Sequence, residues 1–111
     1  MNARIVIIYE KHTGQEPFKV WLNSLDTLIR ARIKARVDRL VVSGNFGDWK
    51  YVNNGVFEMR LDFGAGYRIY YAMPADPLVI ILCGGTKRAQ DKDVKIAIGY
   101  LKDFKNKHEI K

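Results

Sequence analysis

One stretch in the middle of the chain determines the predicted architecture: Val56-Phe57-Glu58-Met59-Arg60-Leu61-Asp62-Phe63, then Gly64-Ala65-Gly66, then Tyr67 to Met73. In the first run apolar and polar residues alternate, which is the period of a half-buried β-strand. The glycine-rich step is a tight turn, and the run after it is the returning strand. The stretch therefore predicts a β-hairpin with odd-numbered residues on one face and even-numbered residues on the other.

The two faces of this hairpin differ in chemistry. The odd face is an apolar wall, and we expect helices to cover it. The even face is predicted to be a polar surface with two arginines, two carboxylates and a phenol: Arg60, Arg68, Glu58, Asp62 and Tyr70. Arginines bind phosphate through a bidentate fork and a tyrosine ring can stack on a base, so such a surface suits RNA.

A three-residue turn also predicts the pairing register, with Asp62 opposite Arg68. A second interpretation of the even face therefore stays open, in which Asp62 and Arg68 form an ordinary cross-strand ion pair. Exposed pairs contribute only about 0–1 kcal/mol and need no function.

Two helices are predicted before the hairpin. Pro17 suits a first helical turn, and apolar residues follow it at helical spacing up to Leu25. Asp26 can cap a second helix, which ends at Gly44 because glycine adopts the left-handed conformation without a Cβ clash. Together they predict an antiparallel helical hairpin.

The remaining elements complete the order β-α-α-β-β-β-α. Residues 4–10 are apolar on both faces, so this first strand is predicted to lie inside the sheet. Leu78 to Cys83 is predicted as a buried strand that ends at Gly84-Gly85, and a C-terminal helix begins near Ala89–Asp91. The prediction is an α+β fold with a mostly antiparallel sheet, a helical hairpin on one face and a C-terminal helix.

Composition narrows the possible functions. The chain has 111 residues, of which 48% are hydrophobic, so we expect one domain over residues 1–111. A formal net charge of +7 favours a polyanionic partner. One cysteine and two separated histidines argue against a disulfide framework and a zinc site. The N-terminal apolar run is too short for a signal sequence or a membrane span, so we expect a cytoplasmic protein. We also expect neither a metal ion nor a cofactor.

The positive charge is concentrated in two places. Residues 27–60 carry seven basic and three acidic side chains, a net charge of +4. Lys87 and Arg88 lie where the C-terminal helix begins, without the spacing of a nucleotide P-loop. These segments are candidate anion contacts. The alternatives are a solvated helix face and an ordinary strand-to-helix turn.

Six short motifs occur in order along the chain. They are Phe18-x-x-Trp21-Leu22, Arg36-x-x-Arg39-Leu40, Gly44-Asn45-Phe46-Gly47-Asp48, Gly55-Val56-x-Glu58-x-Arg60, Gly66-Tyr67-Arg68-x-Tyr70 and Gly84-Gly85-x-Lys87-x-x-Gln90-x-x-Asp93-Val94. Over nearly the whole chain these motifs resemble the RelE/ParE superfamily of toxins. The closest branch is the HigB-like addiction module killer group, which is related to a phage Gp49-like family. The resemblance implies a small RelE-like fold that agrees with the predicted element order.

The resemblance also implies an activity, that of the toxin of a type II toxin–antitoxin system. RelE-like toxins cleave mRNA, mostly on the ribosome and without a metal ion. The 2′-hydroxyl attacks the adjacent phosphate, and arginine and lysine stabilise the anionic transition state. The implied partners are mRNA, the ribosome and a cognate antitoxin, typically a helix-turn-helix DNA-binding protein through which operator DNA is bound. No membrane partner is implied.

The resemblance assigns catalytic roles to three basic residues. Arg68 matches the scissile-phosphate contact, Arg60 matches a basic residue on the preceding strand, and Lys87 matches the basic turn before the last helix. Chemistry alone adds Glu58 and Asp91 as candidate general bases, with ordinary surface carboxylates as the alternative. The expected RNA contacts are Arg88, Tyr70, Gln90 and Lys50.

The chain departs from RelE-type members in its acid–base residues. Glu58 stands where those members are basic, and Val94 lies near the register of a tyrosine that some relatives use as an acid or base. The histidines of other HigB proteins have no counterpart. Two alternatives therefore stay open: a non-enzymatic ParE-like inhibitor of DNA gyrase, and an inactive regulatory partner that binds only the antitoxin and operator DNA.

Overall fold

The computed structural model describes residues 4–110 and confirms the α+β fold. The described elements are β1 (Ile5–Ile8), α1 (Pro17–Asn23), α2 (Thr27–Ser43), β2 (Trp49–Asn53), β3 (Val56–Leu61), β4 (Tyr67–Ala75), β5 (Leu78–Thr86) and α3 (Gln90–Lys107). A 3₁₀ turn, Lys87–Ala89, leads into α3. The strands form one sheet in the order β1-β5-β4-β3-β2, in which β1 is parallel to β5 and the other pairs are antiparallel.

Local sequence explains where the first two helices begin and end. α1 begins at Pro17, whose missing N–H is not needed in a first turn. Asp26 caps α2, because its Oδ2 accepts a hydrogen bond from the amide of Leu28 at 3.1 Å. Gly44 ends α2 with a left-handed φ of 73°. Within residues 4–110, no helix has the length and apolar character needed to span a bilayer.

The first strand lies at an edge of the sheet, so the prediction that it lies inside is wrong. On one face of β1, Val6 and Ile8 pack against the core that α1 and α2 cover. On the other face Ile5 and Ile7 are 58% and 37% exposed. Ile5 and Ile7 are exposed because α3 packs mainly over the other four strands and leaves this face of β1 uncovered.

The central hairpin has a longer loop than predicted, and the pairing of Asp62 with Arg68 is wrong. Arg60 lies opposite Arg68 instead. The connection is the five-residue loop 62–66, in which two glycines adopt positive φ values of 55° and 74° and so leave the extended conformation that pairing requires. Because the register shifts by two residues, every side chain keeps its predicted face.

Helices cover both faces of the sheet. The odd face of β3 and β4 packs against α1 and α2, as predicted. The even face lies under α3, so the expectation that it forms an exposed surface is wrong. The cause is the apolar stripe of α3, which is buried only when it packs against a sheet face. It packs against Val56 and Ala72, which lie beside the charged residues of the even face. The buried residues of this stripe are Val94, Ala97, Leu101 and Phe104.

Gly84 and Gly85 lie within β5 and do not end it, contrary to the prediction. Both continue the ladder with β4. A Cβ atom on Gly84 would overlap the ring of Trp21 in α1, and one on Gly85 would overlap the carboxylate of Asp93 in α3. The two glycines are therefore required where helices approach the sheet closely from opposite sides.

Candidate anion-binding site

A buried carboxylate lies at the centre of the candidate site. Glu58, in β3, is 0% exposed. Its Oε2 accepts a hydrogen bond from Arg60 Nε at 2.8 Å, and its Oε1 accepts one from Gln90 Nε2 at 2.7 Å. Arg68 Nε lies 3.8 Å from the same Oε2. One carboxylate thus joins side chains from β3, β4 and the first residue of α3, and we call these four residues the Glu58 cluster.

The register of the sheet explains why this cluster forms. Arg60 and Arg68 are direct cross-strand partners, and Glu58 lies on the same face two residues before Arg60. Like charges directly opposite each other destabilise a sheet, and the carboxylate between them offsets that repulsion. The hydrogen bond to Glu58 raises the pKa of the Arg60 guanidinium above its ordinary value.

The two arginines of the cluster differ in exposure. The Arg68 side chain is 9% exposed, and its NH1 donates to the carbonyl oxygen of Tyr67 at 3.1 Å. Its Nε is buried without a hydrogen-bond partner among residues 4–110. The Arg60 side chain is 33% exposed. The Arg68 side chain is therefore largely buried, whereas a larger part of Arg60 reaches the surface.

Arg68 and Lys87 line the same open groove, which has a volume of about 470 Å³ and is bounded by the loop 62–66. The amide of Lys87 donates to the carbonyl oxygen of Gly66 at 2.7 Å, which ties the basic turn to the hairpin loop. The groove therefore presents a guanidinium and an ammonium group from different parts of the chain. This arrangement can bind an anion.

The structure places the other predicted basic contacts near this groove or beside the cluster. Lys50 is exposed on β2 and is the cross-strand partner of Glu58. Arg88 is exposed in the turn next to Lys87. Asp91, in contrast, is exposed in the first turn of α3 and lines a different groove, together with Val52 and Lys95.

Two of the predicted site residues are sealed from solvent. Tyr70 is 0% exposed under α3, so its ring has no free face on which a base could stack. Burial raises the pKa of its hydroxyl well above the ordinary value. Glu58 is equally buried, and both of its oxygens accept hydrogen bonds. The expectation that these two side chains are exposed is wrong, because it did not include the α3 cover.

Comparison with known proteins identifies the family. Residues 20–100 match the family described as "Phage derived protein Gp49-like (DUF891)". The chain belongs to the Gp49-like family. An uncharacterized protein of Haemophilus influenzae (strain ATCC 51907 / DSM 11121 / KW20 / Rd) is 53% identical over 81 residues, which is 72% of this chain and 81% of that protein.

Membership in the Gp49-like family confirms the resemblance at that level. The family is related to toxin–antitoxin systems, in agreement with the expected function class and with an antitoxin as partner. The matched range includes the whole Glu58 cluster and Lys87. The HigB-like assignment stays a prediction.

Two further residues of this Gp49-like chain contribute to the site, although sequence analysis gave neither of them a catalytic or RNA-binding role. Asp62 lines the groove with Arg68 and Lys87, and also a neighbouring groove along α2. Arg36 donates to the carbonyl oxygens of Phe46 and Arg60, at 3.0 and 3.4 Å, and so fixes α2 against β3. The basic run in residues 30–39 was the available signal, but periodicity did not show which of its arginines faces the sheet.

Proposed function

We propose that this Gp49-like protein is the toxin of a type II toxin–antitoxin system, and that it inhibits translation as a metal-independent endoribonuclease acting on mRNA. The observation that carries the proposal is the groove shared by Arg68 and Lys87, with Arg60 directly opposite Arg68 in the sheet. Two cationic groups at one groove suit a phosphodiester, whose negative charge becomes concentrated when a 2′-hydroxyl attacks it.

The chemistry follows from the groups that reach the groove. A guanidinium has five N–H donors, and Arg68 uses one of them on the Tyr67 carbonyl, so donors remain for the phosphate oxygens. The 2′-hydroxyl forms a bond to the adjacent phosphorus and the 5′-oxygen leaves. Proton transfer in this proposal falls to the side chains that line the groove, Asp62 and Lys87, rather than to buried Glu58 or to Asp91, which lines another groove.

The partners of this proposed function are mRNA on the ribosome and a cognate antitoxin of the helix-turn-helix type, through which operator DNA is bound. The net charge of +7 supports an encounter with a polyanion. Exposed Lys50 and Arg88 add positive charge beside the Glu58 cluster and the groove.

The test is mRNA cleavage by purified protein on translating ribosomes. We expect Arg68→Ala to slow cleavage about 10²- to 10³-fold, the usual cost of removing one group that stabilises an oxyanion. Arg30→Ala is the matched control, because Arg30 lies on α2 outside the residues that line the groove. Thermal melting verifies that both variants are folded. Wild-type cleavage by a folded Arg68→Ala variant would contradict the proposal.

A ParE-like inhibitor of DNA gyrase is the second candidate. It is favoured by one observation: both carboxylates predicted as general bases lie outside the groove, Glu58 because it is buried and Asp91 because it lines another surface. A supercoiling assay distinguishes the two functions. Inhibited supercoiling with intact mRNA would replace the nuclease, and no growth effect of the induced chain would indicate a regulatory partner that binds only the antitoxin.

A further inference from the structure

Glu58 is the feature of the site that phosphate binding alone does not explain. Burial of a carboxylate costs several kcal/mol unless charged partners and hydrogen bonds compensate for the lost water. Glu58 is 0% exposed and sits in a site whose proposed ligand is itself an anion. A site that only needed positive charge would be more attractive to RNA without this residue.

We infer that Glu58 is a positioning residue, which holds the guanidinium groups of Arg60 and Arg68 in the arrangement that grips the scissile phosphate of RNA. The inference rests on the proposed function and names the group that organises its site. Glu58 does not touch the substrate in this role, since its side chain is sealed and both oxygens are occupied.

The way in which Glu58 contacts Arg60 leaves the arginine free to bind. The hydrogen bond uses Nε of Arg60 and occupies neither of the two terminal nitrogens. A guanidinium held through Nε still offers its terminal N–H donors, and one third of this side chain is exposed. The carboxylate therefore orients Arg60 without consuming its ability to bind an anion.

The charge balance of the cluster also supports a positioning role for Glu58. One carboxylate lies between two guanidinium groups that would otherwise repel each other across neighbouring strands. The net charge of the three groups is 2 − 1 = +1. Glu58 thus removes the repulsion that would separate Arg60 from Arg68, and the cluster still attracts a phosphate.

Glu58 also anchors the basic turn. Its Oε1 accepts from Gln90, the first residue of α3, and Lys87 lies three residues earlier in the turn that leads into this helix. The other end of that turn is tied to the hairpin loop by the amide of Lys87. The same buried carboxylate therefore helps to set the distance between the two arginines and Lys87.

Glu58→Gln separates positioning from simple attraction, because positioning predicts slower cleavage, whereas simple attraction predicts cleavage that is as fast as wild type or faster. The substitution raises the formal net charge from +7 to +8, so RNA binding should be unchanged or tighter. Cleavage should slow by about 10- to 100-fold, the loss typical of residues that orient metal-binding side chains through hydrogen bonds. Glu58→Asp keeps the charge and should recover part of the rate.

The experiment measures cleavage of mRNA on ribosomes, and separately the affinity for ribosomes loaded with a fluorescent mRNA that carries 2′-O-methyl groups and cannot be cleaved. Glu10→Gln is the matched control, since it removes the same charge from an exposed side chain on the loop after β1. We expect this control to cleave at the wild-type rate. Thermal melting of each variant verifies the fold.

The outcomes distinguish the two proposals. Folded Glu58→Gln protein that cleaves as fast as wild type, or that loses affinity and rate in equal proportion, would overturn the positioning role alone. Wild-type protein that cleaves no RNA would overturn the proposed nuclease and this inference with it. If Glu58→Gln does not fold, Glu58→Asp takes its place, because the shorter side chain keeps the charge but withdraws the carboxylate from Arg60 and Gln90. That variant should cleave more slowly at unchanged affinity, and a wild-type rate would then contradict the inference.

Discussion

The two faces of the sheet are both covered by helices, but within residues 4–110 buried charge occurs on only one of them. The face under α1 and α2 packs apolar side chains such as Ile33, Leu40 and Ile69. The face under α3 has a comparable apolar region, yet Glu58 and Arg68 are buried near the start of that helix. Buried charge adds less stability than hydrocarbon of the same volume. The first face therefore contributes mainly stability, and the second gives part of its area to the buried charges of the candidate site.

The largest expected effect comes from breaking the buried ion pair. Glu58→Leu leaves Arg68 buried beside apolar surface without its counter-charge, so the free energy of unfolding should fall by about 3–5 kcal/mol. Adding Arg68→Leu should restore most of this loss, because an apolar pair of similar volume needs no desolvation of charge. Urea denaturation followed by tryptophan fluorescence measures both variants.

The variant that combines Glu58→Leu with Arg68→Leu tests the difference between the two faces, since it should be stable and yet inactive in mRNA cleavage. A control on the other face is Leu40→Ala, which should lose about 2–5 kcal/mol through a cavity while the folded protein keeps its cleavage rate. If the double variant is no more stable than Glu58→Leu alone, buried charge is not what distinguishes the second face.

An intermediate effect is expected at the two adjacent glycines of β5, which face opposite sides of the sheet. Gly84→Ala places a methyl group against the Trp21 ring and should lower the free energy of unfolding by about 1–3 kcal/mol through overpacking. Gly85→Ala meets the carboxylate of Asp93, which can rotate away and should cost less.

Asp93 supplies a second readout for this pair of variants. Burial raises the pKa of its carboxyl above the ordinary 3.8, and rotation toward water in Gly85→Ala should lower it again. Thermal melting ranks the two variants, and carboxyl titration by NMR follows Asp93. Equal melting temperatures would show that the Trp21 ring and the Asp93 carboxylate are displaced at the same cost in stability.

The smallest effect concerns the end of α3 far from the Glu58 cluster. The hydroxyl of Tyr9 donates to Asp103 Oδ2 at 2.5 Å, and this bond together with Lys107 lowers the pKa of Asp103 below 3.8. A carboxyl whose pKa is lowered on folding contributes stability above the unfolded-state pKa and loses it as the pH falls. Asp103→Asn should therefore melt slightly below wild type at neutral pH.

That difference in melting temperature should disappear as the pH falls from 3.8 through the lowered pKa of Asp103. Cleavage at neutral pH should not change, because Asp103 lies outside the groove. A melting difference that grows on acidification would contradict the assignment of this hydrogen bond.

Much of the fold could be predicted because its signals act over a few residues. Pro17, Asp26 and Gly44 each act within one helical turn, and all three lie where they were expected. The alternation in β3 correctly predicts which side chains share a face. The errors concern the position of β1, the hairpin register and the end of β5. These depend on strand pairing, on how five loop residues fold and on how closely helices approach the sheet.

The candidate site was also predictable only in part. By itself, the sequence determined the chemistry of the even face, the basic turn at Lys87 and the placement of Arg60 and Arg68 on the same face of a hairpin, whereas their direct pairing came from the structure. Only the tertiary structure decided that α3 closes over this face, burying Glu58 and Tyr70 and bringing Gln90 to the carboxylate. The physical reason is distance along the chain. Gln90 lies 32 residues from Glu58, and no local period carries information about a contact that forms when separate segments pack.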